Sequence, residues 1–269
     1  MAFYSNLISD SILIGDTINL LKFHGGALSA TVVADEVLGV SKIDSGFAVS
    51  LIADLIAEDP RLSLRSDSIV ELIAPDFEAR KLNEAEFVVF DTETTGTKPP
   101  FARMTEIGAY RVKNGRIVDE FQTLLNPEKT IPPFIVSLTG ITNEMVSKAP
   151  LFTEIAPDLL RFLGDSILVA HNAPFDMAFL NHEIGRVYLK RKLINAHLCT
   201  VRLSRKLLPD LKNHRLHTVA EHFSIPIYNR HRAAGDALAT AQIFVHFLEQ
   251  LNEKGIHDLA ALKTLKQKR

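Results

Sequence analysis

A chain of 269 residues with 46% apolar side chains is long enough for one large domain or two modest ones, each with its own core. Its formal charge of −2 singles out no partner, and no apolar run is long enough to cross a bilayer as a helix. The lone cysteine, Cys199, rules out an internal disulfide and reads as a small buried side chain. With an N-terminus that carries Asp10 and Asp16 and no basic leader, the expectation is a soluble cytoplasmic protein with no membrane partner.

Charge is unevenly spread. Residues 1–80 hold 5 Lys and Arg against 12 Asp and Glu, a net of −7, which leaves 25 and 20, a net of +5, for residues 81–269. A polyanion prefers the second half. In the first half, DTINLLKFH at 16–24 predicts a helix with Asp16 as N-cap, stopped by Gly25-Gly26. Ser29 caps a second predicted helix through Leu38, and Asp44 or Ser45 caps a third that runs to Glu58, ahead of Pro60. RLSLRSDSIVELI then predicts two short strands about a polar turn at 65–68. Three helices followed by a hairpin is the order of a winged helix, and residues 1–80 resemble that family loosely. Winged helices often bind DNA, but phosphate affinity needs Lys and Arg, so the net of −7 favours a protein-contact module or dimerisation arm. The polar PDFEARKLNEAE at 75–86 reads as a linker.

From residue 86 the pattern changes. Strands are predicted at 86–91, 104–113 and 116–125, the last two joined by the hairpin signal Asn114-Gly115. A short helical stretch follows Pro132-Pro133, an amphipathic helix covers 152–163, and SILVAHN at 166–172 is a buried strand. A helix runs from Pro174 to about Leu189, with others near 199–208, 216–223 and 233–253; residues 254–269 are left as a terminal helix or basic tail. Strands first, then alternating strands and helices, make an α/β domain over about 85–253 with a mixed sheet flanked by helices.

Three stretches carry chemistry. FVVFDTETTG ends an apolar strand in Asp91 and Glu93, which project to one face because strand residues i and i+2 do. Two such anions repel unless one takes a proton or a cation sits between them; a hard divalent cation suits oxygen ligands, and a solvated strand end is the alternative. In HNAPFDMAFL, Asp176 sits at a helix start just after a buried strand, where an isolated Asp reads as helix-terminus electrostatics, while His171 and Asn172 tie down the turn. In NRHRAAGDALATAQIFVHFL, Asp236 lies in a strongly helical segment and His231 five residues before it, a pairing open to a metal ligand and base on one cleft or to a surface His beside Arg230 and Arg232.

Taken together, the three stretches resemble the DEDDh family of 3′–5′ exonucleases, whose members include the epsilon proofreading subunit of bacterial DNA polymerase III, RNase T and oligoribonuclease. The family's Asp-x-Glu motif matches Asp91 and Glu93, its second acid matches Asp176 within HNAPFD, and its His-x4-Asp motif matches His231 and Asp236 within HRAAGDA. The resemblance covers about residues 85–250, including the strand pair TEIGAYRVKNGRIVDEFQTLLNP and the substrate-side loop IPPFIVSLTGITNEMV, and none of the five motif residues is missing. It implies an RNase H-like exonuclease domain in which Asp91, Glu93, Asp176 and Asp236 hold two divalent cations, Mg2+ or Mn2+, while His231 acts as general base. It further implies that Thr94, Thr95 and Gly96 lie beside the terminal nucleotide at a 3′ end and that Phe175 wedges against its base, for which core packing is the alternative.

The substrate expected from this resemblance is DNA, cut to nucleoside 5′-monophosphates in proofreading or repair. An exoribonuclease of the same family and a non-catalytic nucleic-acid or protein binding module are the competing readings. The acidic N-terminal module is expected to recruit a protein partner. Basic stretches at 186–192, 202–206 and 212–215 either flank a strand's path or are solvated helix faces. His214, His217 and His222 have zinc-like spacing, but neither a cysteine pair nor a His-Glu-x-x-His pattern accompanies them.

Overall fold

The computed structural model describes residues 4–57, 59–73 and 80–264, and no described helix is long and apolar enough to cross a membrane. The predicted helix end at Glu58, the linker over 75–79 and the tail beyond 264 lie outside the described residues. The chain divides into two compact units, one of the N-terminal residues with Tyr188–Ile194, the other of the rest.

The first unit holds strand β1 (Leu7–Ser9), helix α1 (Ile12–Phe23), β2 (Ala27–Ser29), α2 (Ala30–Leu38), α3 (Ser45–Ile56), β3 (Leu62–Leu64) and β4 (Ile69–Leu72). Helix α1 starts earlier than its sequence suggests: Ser11 is the N-cap, without a side-chain cap bond, and Asp16 lies inside the helix. The apolar run Ile12-Leu13-Ile14 ahead of Asp16 joins the helix because Ile14, Ile18 and Leu21 form one buried stripe at helical spacing. The other two caps sit as expected, with Ser29 accepting from the Val32 amide and Asp44 from the Phe47 amide. Positive φ at Gly25 (81°) and Gly26 (98°) ends α1. The three helices bury Ile14, Ile18, Leu21, Val33, Ala34, Ala48 and Ile52 together with Val70 of β4. Strand β4 is the centre of an antiparallel sheet ordered β2-β4-β3. Strand β1 pairs antiparallel with β9 (Arg191–Leu193), so Tyr188–Ile194 belongs to this unit although its neighbours in sequence do not. Asp10 with Lys192, and the Tyr4 and Tyr188 rings at 5.7 Å, reinforce the pairing.

The second unit is built on five strands: β5 (Glu86–Thr94), β6 (Met104–Lys113), β7 (Arg116–Leu124), β8 (Ile167–Ala170) and β10 (His197–Cys199). They lie in the order β10-β8-β5-β6-β7. Strands β5, β6 and β7 form an antiparallel meander, its β6–β7 hairpin turned by Asn114 and Gly115, both at positive φ. Strands β8 and β10 add parallel, which makes the sheet mixed, as expected. Helices α4 (Pro133–Thr139), α5 (Asn143–Ser147) and α6 (Phe152–Leu163) precede β8; α7 (Ala173–Val187) follows it; α8 (Thr200–Leu207), α9 (Leu216–His222), α10 (Ala233–Glu253) and α11 (Leu259–Thr264) complete the unit.

Strand alternation assigns the faces. Phe87 and Val89 of β5, with Tyr110 and Val112 of β6, share a core with Ala237, Ala241, Phe244, Phe247 and Leu251 of α10. Val88 and Phe90 face the opposite way and are also fully buried, and α7 packs against β5 and β8. The first turn of α10 reaches the sheet because position 108 is glycine: a Cβ there would lie 2.5 Å from the Ala234 nitrogen and 2.6 Å from the Ala233 carbonyl carbon. Gly108→Ala is therefore expected to lower stability by about 2 kcal/mol, the range for forcing an extra methyl into a packed contact. Urea denaturation checks this, and wild-type stability in that variant would contradict the packing.

Candidate active site

Asp91 and Glu93 lie on the face of β5 that carries Phe87 and Val89. The Phe87 and Phe244 rings meet edge-on with centroids 4.9 Å apart. Asp91 is four strand residues beyond Phe87, about 13 Å; Asp236 is eight helix residues before Phe244, about 12 Å. The two lengths match, so the same packing that buries the phenylalanines brings Asp236 to the acids of β5. Ligating atoms of Glu93, His231 and Asp236 lie within 4.8 Å of one another. His231 precedes α10 with φ of 61°, and its backbone amide donates to Asp236 Oδ2 at 3.0 Å.

Asp176 approaches from the edge of β5. The pairing of β8 with β5 stops at Val169 opposite Val89, and the chain turns through Asn172 (φ 79°) into α7. Past that point the Thr92 amide has no partner strand on this side. It donates instead to Asp176 Oδ1 at 3.1 Å, and the Thr92 hydroxyl donates to the same oxygen at 2.9 Å. Behind the turn, His171 Nδ1 is 2.9 Å from the Thr200 hydroxyl and the ring also bonds the backbone of His214. Burial pulls the His171 pKa down to about 4, so this histidine is a neutral tether for the turn.

The segment after Glu93 is held from within. The Thr94 hydroxyl donates to the Gly96 carbonyl at 2.6 Å, the Thr95 hydroxyl accepts the Arg103 amide at 3.0 Å, and the Thr95 amide donates to the Arg103 carbonyl. Arg103 is itself buried, pinned to Glu183 of α7 at 2.7 Å and to Glu128 at 3.0 Å. Gly96 packs close to Ala102, where a Cβ would meet the Ala102 methyl at 3.3 Å. Phe175 is half-buried in the first turn of α7, its ring 5.0 Å from that of Phe179. Sequence reasoning did not pick out Thr92, Arg103, Glu106 or Gly108. A glutamate inside the otherwise uncharged run MTEIGAY was the one local signal that position 106 had work to do.

Electrostatically the site is overcrowded with carboxylates. Burial, then the charges of Asp176, Glu93, Asp236 and Glu106, push Asp91 well above the usual carboxylate range. Glu93 is pushed up to about 8 by burial and by Asp236, Glu106 and Asp176, with Arg232 offsetting a part. Burial raises Asp176 to about 7 against the two Thr92 bonds, and raises Asp236 against the His231 amide. The neighbouring cation Arg232 is already engaged by Glu106 at 2.6 Å. Four carboxylates short of positive charge, with an imidazole beside them, suit a hard divalent cation. Among the described residues no other three His, Cys, Asp or Glu side chains converge this closely, so His214, His217 and His222 form no such cluster.

Comparison with known proteins follows the same outline. A family model described as "Exonuclease" (RNase_T) matches residues 88–244. The chain is 40% identical over 187 residues to the DNA polymerase III subunit epsilon of Aquifex aeolicus, covering 69% of this chain and 92% of that protein. It is 45% identical over 186 residues to the PolC-type DNA polymerase III of Caldanaerobacter subterraneus subsp. tengcongensis, but the match spans 69% of this chain and only 13% of that much longer polymerase. Among solved structures, exonuclease X in complex with 5′ overhanging duplex DNA superposes with a TM-score of 0.52 at 26% identity, covering 63% of this chain and 93% of that one. The mixed sheet with its flanking helices is thus the RNase H-like exonuclease fold.

The raised carboxylate pKa values set a pH dependence. An acid whose folded-state pKa exceeds its unfolded value binds protons more tightly when folded, so its contribution is fully present below the unfolded value near 4. That contribution is lost as pH rises through the folded values of about 7 for Asp176 and about 8 for Glu93. In chelator, the melting temperature is expected to fall between about pH 5.5 and about pH 8.5. Mn2+ is expected to raise it more at the upper pH, where the cation replaces protons already lost. Scanning fluorimetry checks both; an equal Mn2+ shift at the two pH values would contradict the cluster.

Proposed function

The chain belongs to the RNase T-type exonuclease family, and from that membership we propose that it is a metal-dependent 3′–5′ exodeoxyribonuclease of the proofreading or repair type, releasing nucleoside 5′-monophosphates. The observation that carries this reading is the convergence of Glu93, His231 and Asp236 within 4.8 Å, next to Asp91 and Asp176. Asp91, Glu93, Asp176 and Asp236 are the residues that would hold two divalent cations, Mg2+ or Mn2+. When bound, such a pair supplies the positive charge the carboxylates lack and the Lewis acidity that polarises a phosphodiester.

The chain's own residues supply the rest. His231, half-buried at the start of α10, accepts the proton of the attacking water, since imidazole suits proton transfer near neutral pH. Thr94, Thr95 and Gly96 back the terminal nucleotide; their internal bonds keep that wall rigid, which favours orientation of the scissile bond. Phe175, partly exposed beside Asp176, stacks on the last base, a contact that tolerates any base. Two relatives at 40% and 45% identity are DNA polymerase III proteins by name, which favours DNA over RNA.

The first unit is read as a winged-helix-like docking module for a basic protein partner. Helix α3 exposes Ser45, Gly46, Phe47, Ser50 and Asp54, a surface without Lys or Arg, on a segment of net charge −7. Phosphate binding needs the opposite charge. The Aquifex relative is by name a polymerase subunit, which supports a protein partner here.

Matched 3′-labelled DNA and RNA oligonucleotides, single-stranded and duplex, with Mg2+ or Mn2+, test the reading. Mononucleotides from DNA are expected, with turnover lowered by about 10³-fold or more in Asp91→Ala and Asp236→Ala at unchanged circular dichroism. RNA cut with a tenfold higher kcat/KM would make the protein an exoribonuclease, and no cleavage of either would favour the binding module. Phe47→Ser is expected to leave cleavage and oligonucleotide affinity within about twofold of wild type, as a surface substitution away from the chemistry should. A fivefold loss of affinity in that variant would assign the first unit to the nucleic acid.

A further inference from the structure

One buried acid beside the quartet is used differently from the other four. Glu106 of β6 lies directly across from Glu93 in the strand register and is 5% exposed. Its Oε2 accepts the Ala233 amide at 2.8 Å, and its two oxygens accept Nε of Arg232 at 3.1 and 3.0 Å and Nη2 at 2.6 Å. Both carboxylate oxygens are therefore occupied by donors. Arg232 is the N-cap of α10 and makes no side-chain cap bond of its own, so the cap is delivered from the neighbouring strand. An anion at a helix N-terminus satisfies amides that have no partner inside the helix.

The residue next to this clamp is His231. It stands in a left-handed conformation, φ 61°, one residue before Arg232, and its amide is tied to Asp236. The loop before it is pressed against the helix start, where a Cβ on Gly235 would fall 2.0 Å from the Tyr228 carbonyl oxygen. The backbone that carries the imidazole is thus held from both sides, by the loop behind it and by the Glu106 clamp ahead of it.

We propose that Glu106, through its paired bonds to Arg232 and the Ala233 amide, is a positioning residue that holds His231 in line for proton transfer, and is not a fifth metal ligand. This rests on the exonuclease reading with His231 as base. A displacement of about 1 Å at a reacting group costs on the order of 10²-fold in rate, which sets the size of the effect.

The experiment compares wild type, Glu106→Gln, Arg232→Lys, His231→Ala and the double variant Glu106→Gln/His231→Ala, using the 269-residue chain and a 3′-labelled DNA oligonucleotide. Expected for Glu106→Gln is a kcat lowered by about 30- to 100-fold, with KM and calorimetric Mn2+ affinity within about threefold of wild type. In the His231→Ala background the same substitution is expected to cost less than about threefold, because a residue acting only through another adds nothing once that other is gone. Arg232→Lys, a half-exposed site that keeps its charge, is expected to show a smaller loss of the same kind and keeps the test open if Glu106→Gln does not fold. A multiplicative loss in the double variant, or a tenfold loss of Mn2+ affinity in Glu106→Gln, overturns the proposal. Amide exchange at Ala233 decides the clamp without activity: exchange at least about tenfold faster in Glu106→Gln is expected, and unchanged exchange overturns it. A wild type that cleaves no oligonucleotide defeats the exonuclease reading and, with it, this one; a cleaving wild type with unaffected variants defeats only the positioning role.

Discussion

The approach of the first turn of α10 to β5 and β6 is the constraint on which the site depends. A helix normally stands off a sheet by the thickness of its side chains, and here there are almost none. Gly108 leaves room beneath Ala233 and Ala234, and Gly235 leaves room for the Tyr228 carbonyl. The run Ala233, Ala234, Gly235, Ala237 gives the helix a face without bulk just where Asp236 must reach inward. Further along, the large residues return: Phe244 and Phe247 fill the core against Phe87 and Val89. The helix is anchored by bulk at one end and admitted by glycine at the other. That asymmetry is what brings a carboxylate from residue 236 and an imidazole from residue 231 to two carboxylates on a strand more than a hundred residues earlier.

Closeness then creates an electrostatic problem that hydrogen bonds solve only in part. Asp176 and Asp236 each receive backbone amides, from Thr92 and His231, yet both still sit above the ordinary carboxylate range because burial outweighs those bonds. Asp91 faces four other carboxylates and Glu93 three. Glu106 shows what a satisfied acid in the same neighbourhood looks like, with a guanidinium and a helix N-terminus saturating both its oxygens. The contrast separates a carboxylate paired with a guanidinium from four whose charge no side-chain cation offsets in full. Strongly perturbed carboxylates of this kind cluster at functional sites.

Much of this was legible in the sequence, for identifiable reasons. Asp91 and Glu93 announce themselves because period two places them on one face of an apolar strand, and the turn at Asn114-Gly115 and the caps Ser29 and Asp44 are local signals that local structure obeys. The meeting of His231 with Glu93 was legible only by resemblance, since no periodicity links residues so far apart. Three features escaped. The start of α1 at Ile12 is set by burial of Ile14, which outweighs the attraction of Asp16 as a cap. Strands β1, β9 and β10 are three residues each, too short for alternation to show, and β1 and β9 exist only because each pairs with the other. The basic stretch at 186–192, read as a flank for nucleic acid or a solvated face, keeps Arg186, Lys190 and Lys192 exposed, but its end also supplies β9, with Lys192 bound to Asp10. Pairing across 180 residues leaves no trace in the local pattern of either partner.

The charge of the site also orders the events of the proposed reaction. A phosphodiester approaching four carboxylates meets repulsion, and two arginines nearby are already committed: Arg232 to Glu106, and Arg103 to Glu183 and Glu128. Arg230 is exposed, and its charge already reaches Asp236. A single surface guanidinium, screened by solvent, does not offset a buried quartet. In that reading, attraction for a polyanion at this spot would have to come from cations held by the quartet itself, so that binding of substrate and binding of metal would be one linked equilibrium. In the proposed reaction the net +5 of residues 81–269 would draw a strand to the unit; it would not seat the scissile phosphate. Glu93 and Asp176, with pKa values of about 8 and about 7, would couple that equilibrium to protons as well, because a cation bound there would displace protons that lower the charge of the carboxylates.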